Sequence, residues 1–211
     1  MRLHRKSETV YVIPTHPARA PVERLIRDSY IRRYSATVRD LPSRLVAVFG
    51  PDAEPLAACG ILNSQSGFFS EYYLDQPIER HVSQACTIPI ERGQIIEVVS
   101  LAGTSAPAVR RLMQDVIESI QRMGRSAGVF TSSTVLKTMI ERIGVPALRI
   151  ADADRARVPN PEDWGRYYDD KPSVFVVPSR TTIRFATDRQ ACDSTLRALW
   201  SSRRIKVMAN G

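Results

Sequence analysis

The chain is poor in the residues that staple or metallate a small protein. Its three cysteines, Cys59, Cys86 and Cys192, are odd in number and widely spaced, and only three histidines, His4, His16 and His81, accompany them. A disulfide framework or a zinc site needs paired ligands at short spacing, so neither is expected and no metal ligands are assigned. The reducing cytosol is the expected compartment. No apolar run approaches the roughly 18 residues of a membrane-spanning helix. The N-terminal stretch MRLHRKSETVYVIPTHP is basic but has no apolar segment behind its charges, so no secretory signal is expected. GxxxxGKS/T and GxGxxG are both missing, which disfavours nucleotide hydrolysis and a Rossmann dinucleotide site. There is no internal repeat and no DNA-binding motif, so nucleic acid is not an expected partner.

What is present is an ordinary globular mix. The 211 residues are 43% hydrophobic and 25% charged, enough for one good-sized domain or one domain with an appendage. The formal net charge is +8, most of the excess being arginine. Such a balance suits an anionic partner, whether an acidic protein, an anionic membrane surface or a nucleic acid, and charge alone does not choose among them.

Residues 10–14 read as a short strand, and PVERLIRDSYIRRY reads as an amphipathic helix over Ala20 to Tyr34, with Pro21 in its first turn. Leu45–Gly50 and Pro55–Leu62 are apolar runs separated by PDAE, the pattern of an antiparallel hairpin. Gly67 to Gln84, GFFSEYYLDQPIERHVSQ, shows no clean period and reads as a partly exposed lobe or lid. Beyond it come a strand over 94–101, a helix over 106–123, a strand over 127–131, a helix over 134–143 closed by Gly144 and a strand over 147–151. PNPEDWGRYYDDKP is a loop holding a turn of helix, followed by a strand over 173–177. The order predicts an α/β (α+β) domain with a mixed central sheet and helices on both faces, spanning residues 1–179. Residues 180–211, with Arg180, Arg184, Arg189, Arg197, Arg203, Arg204 and Lys206 among Phe185, Leu196, Leu199 and Trp200, predict a basic C-terminal helix. That helix would dock on anionic lipid or a carrier protein, or simply present a solvated charged face.

The chemistry concentrates in EVVSLAGTSAPAVRRLMQDVIESIQRMG, residues 97–124. Ile95, Ile96, Val98, Val99 and Leu101 make an apolar strand, hence a central one, and Glu97 sits in its middle. A carboxylate there is expensive unless it is paired or faces a cleft. Burial would raise its pKa, as a general base requires; a salt bridge to one of the many arginines is the competing account. The following small-residue loop leads into a helix with Ser105 or Thr104 as N-cap, a terminus that can bind anions. Arg110 and Arg111 in its first turn suit a phosphate or an acidic carrier protein, and equally suit a solvated face.

EVVSLA with the VRRLM helix, VFTSSTVLKTMIERIGVPALRIADADRARV, WGRYYDDKPSVFVV and SEYYLDQPIE together resemble the thermostable hemolysin family, from about Tyr34 to Val177. A more distant similarity is to acyl-homoserine-lactone synthases and the GNAT N-acyltransferase fold, matched by Glu97 and Ser100. The resemblance implies a strand pair, 95–101 and 127–131, that splays to admit a pantetheine arm. It implies an acyl-CoA or acyl-phosphopantetheine cosubstrate, the latter on an acidic acyl carrier protein, and a small amine or amino acid acceptor. Glu97 would be the base, Ser100 would orient the substrate, and Tyr167 or Tyr168, with Tyr168 preferred, would protonate the leaving thiolate. Val98, Leu101, Ala102, Gly103, Arg110, Arg111 and Thr131 would bind the donor. Tyr73, Asp75, Glu79 and Trp164 would bind the acceptor; an ordered loop packing on the sheet is the alternative for the first three, and packing with polar tips is the alternative for Trp164, Tyr167 and Tyr168. Capping of the next helix is the plainer role for Thr131, Ser132 and Ser133, and neither Cys59 nor Cys86 has a neighbouring histidine to make it a nucleophile. The family usually reads EVGNLA, so Val99 stands for glycine and Ser100 for asparagine, and the missing glycine is expected to alter the backbone at the splay. The second function carried by the sequence is a membrane-active or non-catalytic binding protein on the same fold, placed in the cytoplasm or peripheral to the membrane.

Overall fold

A computed structural model describes residues 8–142 and 144–187. Seven strands form one sheet in the order β1-β2-β3-β4-β5-β7-β6: β1 (Glu8–Val12), β2 (Leu45–Phe49), β3 (Pro55–Asn63), β4 (Ile95–Gly103), β5 (Ala127–Ser132), β6 (Leu148–Asp152) and β7 (Ser173–Pro178). The pair β4–β5 is parallel and every other pair is antiparallel. A parallel pair needs a crossover, and α3 (Ala106–Arg122) supplies it. The expected mixed sheet with helices on both faces is therefore the observed one.

Strand alternation assigns the two faces. Val46, Val48, Cys59, Ile96, Val98, Phe130, Phe175 and Val177 pack under α3 and α4 (Thr134–Arg142). Leu45, Ala47 and Ala58 face the other way, against Val22, Ile26 and Tyr30 of α1 (Arg19–Tyr34). Ile95, Val129, Val174 and Val176 share that second face and pack against α2 (Ile78–Cys86). Each helix offers the sheet an apolar stripe at helical spacing, for α2 the trio Ile78, Val82 and Cys86. The segment read as a lobe or lid is thus part of the core: a 3-10 turn over Phe69–Tyr73 and then α2. The loop before β7 carries three further 3-10 turns, Arg155–Arg157, Pro161–Trp164 and Tyr167–Asp170.

Two local features open the sheet. Between β3 and β4 the register moves from Gly60↔Val99 to Ala58↔Ala102, so Ser100 and Leu101 together oppose Cys59. This is a β-bulge, and Ser100 takes the left-handed conformation within it, with φ 52°. The extra residue reverses the alternation: Val98 faces α3, yet Ala102 faces α1. Pairing of β4 with β5 ends at Val98↔Phe130, although β4 runs on to Gly103. The strand pair splays where the resemblance implied. The residue with the special backbone, however, is Ser100; Val99, in the position of the usual glycine, is not in the left-handed region.

At the C-terminal end, helical turns cover residues 180–187, begun by the Ser179 hydroxyl accepting from the Thr182 N–H at 3.1 Å. The rest of the predicted basic helix, including Arg189 to Lys206, lies outside the described residues. Among the described residues no helix is long and apolar enough to cross a membrane.

The 3-10 turns before β7 are fastened to α1 at Gly165. Its φ of 49° is positive, and a Cβ there would lie 2.2 Å from the Tyr34 carbonyl oxygen and 2.5 Å from that of Ser35. The next N–H, from Arg166, donates to the same Tyr34 oxygen at 2.7 Å. A side chain would break this contact and strain the backbone. Gly165→Ala is expected to lower stability by about 2–3 kcal/mol in chemical denaturation. Gly93→Ala, at a position with nothing within 4 Å of the added Cβ, should stay within about 0.5 kcal/mol of the parent. Equal midpoints for the two variants would contradict the fastening.

Candidate active site

Glu97 is fully buried, on the β4 face covered by α1, α2 and the turn Phe69–Tyr73. Its partners are not arginines. The Phe69 N–H donates to Oε2 at 2.6 Å, the Ser70 N–H to Oε1 at 2.9 Å, and the Ser70 hydroxyl also donates to Oε1. The Ser70 hydrogen being used in this way, Thr131 of β5 donates its hydroxyl to Ser70 Oγ at 3.1 Å. A relay Thr131–Ser70–Glu97 thus ties the two splayed strands through the turn. Burial pushes the Glu97 carboxyl up to about 7, against the opposing pull of the Ser70 and Phe69 donors. Oε2 accepts a single protein hydrogen bond, leaving a lone pair for a proton from a ligand.

Two cavities meet beside this carboxylate. The larger, about 500 Å³, contains Glu97 and is walled by Tyr30, Phe69, Tyr72, Tyr73, Trp164 and Tyr167. The smaller, about 350 Å³, fills the splay between β4 and β5 and reaches Ser105 and Ala106 at the start of α3. Tyr30, Val98, Ser100, Thr131 and Tyr167 line both, so the cavities adjoin at the bulge. Six of the chain's seven tyrosines belong to one aromatic cluster there, linked by pairs such as Tyr34–Tyr167 at 5.2 Å, Trp164–Tyr167 at 5.6 Å and Phe69–Trp164 at 5.3 Å.

Most residues singled out in the sequence converge here. Glu97, Tyr73 and Trp164 line the larger cavity, Leu101, Ala102 and Gly103 the smaller, and Val98, Ser100 and Thr131 both. Gly103 has a packing reason as well, since a Cβ there would lie 2.4 Å from Val109 Cγ2 in the first turn of α3. Five residues lie outside both cavities. Arg110 and Arg111 are exposed on α3, the latter paired with Asp115 at 2.7 Å. Asp75 pairs with Arg157 at 2.7 Å, and Glu79 with Arg92 at 3.2 Å. The Tyr168 hydroxyl is bonded to that of Tyr73 at 2.7 Å, while its neighbour Tyr167 lines both cavities. The Tyr167 hydroxyl donates to the Thr131 carbonyl at 3.1 Å, and burial holds its pKa well above the ordinary tyrosine value.

Several site residues had no sequence signal for their role. Phe69 and Ser70 hold the carboxylate largely through backbone N–H groups, which any residue carries. Tyr30 reads only as one position on an amphipathic helix. Arg33 of α1, exposed and lying over the Tyr34 ring at 5.2 Å, lines the smaller cavity and is a cation at its edge. The N-cap of α3 is Ser105, whose Oγ accepts from the Ala108 N–H at 3.4 Å, and Pro107 has no N–H to offer. This helix start therefore presents fewer open donors to an anion than a glycine-rich loop would.

The Ser70 hydroxyl favours the ionised form of Glu97, so removing it disfavours that form. Ser70→Ala is expected to move the Glu97 titration to higher pH in a ¹³C-carboxyl NMR titration, from a midpoint near 7 in the parent. An unchanged midpoint, or a downward shift, would contradict the hydrogen-bonding account.

Solved structures of low sequence identity share this fold. The AHL synthase LasI superposes with a TM-score of 0.56 at 9% identity, covering 86% of this chain and 95% of that one. BjaI, a CoA-dependent acyl-homoserine lactone synthase solved with SAM and isopentyl-CoA, gives 0.55 at 12% identity, covering 87% and 89%. FeeM, an N-acyl amino acid synthase from uncultured soil microbes, gives 0.53 at 13% identity, covering 82% and 90%. No functionally curated protein matches the chain by sequence. The sequence profile of the thermostable hemolysin family matches residues 12–183, most of the chain and every element that builds the two cavities. The chain belongs to the thermostable hemolysin family.

Proposed function

We propose that the protein transfers an acyl group from a thioester to an amine. The observation that carries this reading is the buried Glu97 carboxyl, poised near 7, beside the junction of two cavities at a splayed parallel strand pair. The likeness in fold to acyl-homoserine-lactone synthases and to an N-acyl amino acid synthase supports the same reaction class.

The pantetheine arm occupies the smaller cavity, with the thioester carbonyl against the β4 backbone at Ser100–Ala102. Backbone amides there polarise the carbonyl. The acceptor enters the larger cavity as an ammonium and gives one proton to Glu97. Its nitrogen lone pair then attacks the carbonyl carbon, and a C–N bond forms. As the tetrahedral intermediate collapses the C–S bond breaks, and the thiolate takes a proton from Tyr167 or water. The second nitrogen proton leaves as the amide forms. Of the two protons drawn from the nitrogen, one replaces that given to the thiolate and the other is released, so Glu97 returns to its carboxylate, Tyr167 keeps its phenol, and the products are one amide, one thiol and one proton. Ser100, set in the left-handed bulge, holds strand and substrate in register.

The donor is better met as an acyl carrier protein than as free coenzyme A. The capped, proline-bearing start of α3 is a weak cradle for a pyrophosphate, and Arg110 and Arg111 line neither cavity. Arg33 is the cation at the edge of the smaller cavity and suits the single phosphate of a carrier-bound arm. The net charge of +8 suits an acidic carrier.

Glu97→Gln keeps the shape and removes the base. Its kcat/KM for amide formation from an acyl-carrier-protein thioester is expected to fall by roughly 10²-fold or more. In the parent the rate should rise with pH through about 7, because the ionised carboxylate is the active form, and that limb should vanish in the variant. Parent-like turnover by Glu97→Gln would remove Glu97 from the chemistry.

A further inference from the structure

The larger cavity carries its own selectivity. Its walls are aromatic and aliphatic, with Phe69, Tyr72 and Trp164 joined by centroid distances of 5.4 and 5.3 Å and with Leu41, Pro42 and Leu62 also in the lining. Its charged lining consists of three carboxyl side chains, Asp40, Asp163 and Glu97, and one guanidinium, Arg39. That guanidinium is already engaged. Arg39 Nη2 lies 2.7 Å from Asp163 Oδ1, and its Nε donates to the other oxygen, so both carboxylate oxygens face the same fork. Asp40 has no ion-pair partner among the described residues.

The balance decides what can sit beside Glu97. A ligand carboxylate would find no uncommitted cation in the cavity and would approach the two uncommitted carboxyl groups, Asp40 and Glu97, with like charges opposed. A ligand ammonium meets two uncommitted carboxyl groups, Asp40 and Glu97, and the faces of several aromatic rings, both favourable. An aryl body on the same ligand has an aromatic wall to pack against, in a volume of small-ligand size.

We infer that the acceptor is a primary arylalkylamine without a carboxylate, rather than an amino acid. The inference rests on the acyl-transfer reading for its chemistry, but the cavity's preference can be measured without turnover. The step it implies is the one already written: ammonium proton to Glu97, C–N bond made, C–S bond broken, thiol and proton released.

The test pairs molecules that differ only in the carboxylate, tyramine with tyrosine and phenethylamine with phenylalanine. Binding to the 211-residue protein is measured by isothermal titration calorimetry with no donor present. Amide formation from an acyl-carrier-protein thioester is followed separately by mass spectrometry. Each amine is expected to bind at least ~10-fold more tightly than its amino acid, a difference in the range that opposed like charges produce. Asp163→Asn, which releases Arg39 from its carboxylate, is expected to narrow that ratio severalfold by improving amino acid binding. Equal or tighter binding of the amino acids, or no binding of either amine, would overturn the inference. Preferential amine binding with no amide formed would leave the cavity's selectivity standing and count against the acyl-transfer reading.

Discussion

A carboxylate on a central strand, beneath two helices, has lost its water and must be compensated by fixed donors. Here those donors are the two N–H groups and one hydroxyl that the turn at Phe69–Tyr73 aims at Glu97. The turn is held over β4 by that carboxylate, and it carries Phe69, Tyr72 and Tyr73, which wall the larger cavity. Through Ser70 it also reaches Thr131 on β5, across the opening of the strand pair. Compensation is partial. Desolvation still outweighs the hydrogen bonds and leaves the group titrating near neutrality. A fully paired carboxylate would stay ionised and be a poor proton acceptor; an unpaired one would stay protonated.

The second constraint is the bulge at Ser100. One extra residue in β4 reverses the alternation of its side chains, and hydrogen bonding to β5 stops just before it. The sheet thereby opens in its middle without losing the apolar layers on either side. The two cavities adjoin at this opening because Val98 and Ser100, on either side of residue 99, reach both. Gly165 completes the enclosure by letting the backbone before Tyr167 press against the end of α1.

Much of this was legible in the sequence, and the reasons differ by element. The strands stood out as short apolar runs, β4 above all because it is apolar on both faces, while the alternation with helices predicted only a mixed sheet and the parallel pairing of β4 with β5 came from the family resemblance. Glu97 stood out as a charge inside such a run. Helix α2 was hidden because its three core residues are separated by polar ones directly after an aromatic 3-10 turn. Asp75 and Glu79 looked available, but their partners Arg157 and Arg92 are distant in sequence and only the fold pairs them. Adjacent tyrosines in a 3-10 turn have no periodicity to separate them, so the different settings of Tyr167 and Tyr168 appear only in three dimensions. The missing glycine at Val99 drew attention one residue early, to the neighbour of the left-handed position.

The central claim is that the splay at Ser100 holds a thioester against an acceptor beside Glu97. The most direct measurement is a crystal structure with a non-hydrolysable acyl-pantetheine analogue. The account predicts the arm between β4 and β5, the carbonyl oxygen on the β4 backbone at Ser100–Ala102, and the carbonyl carbon facing the cavity that contains Glu97. An analogue bound anywhere else on the protein, with the splay left open to solvent, would contradict it.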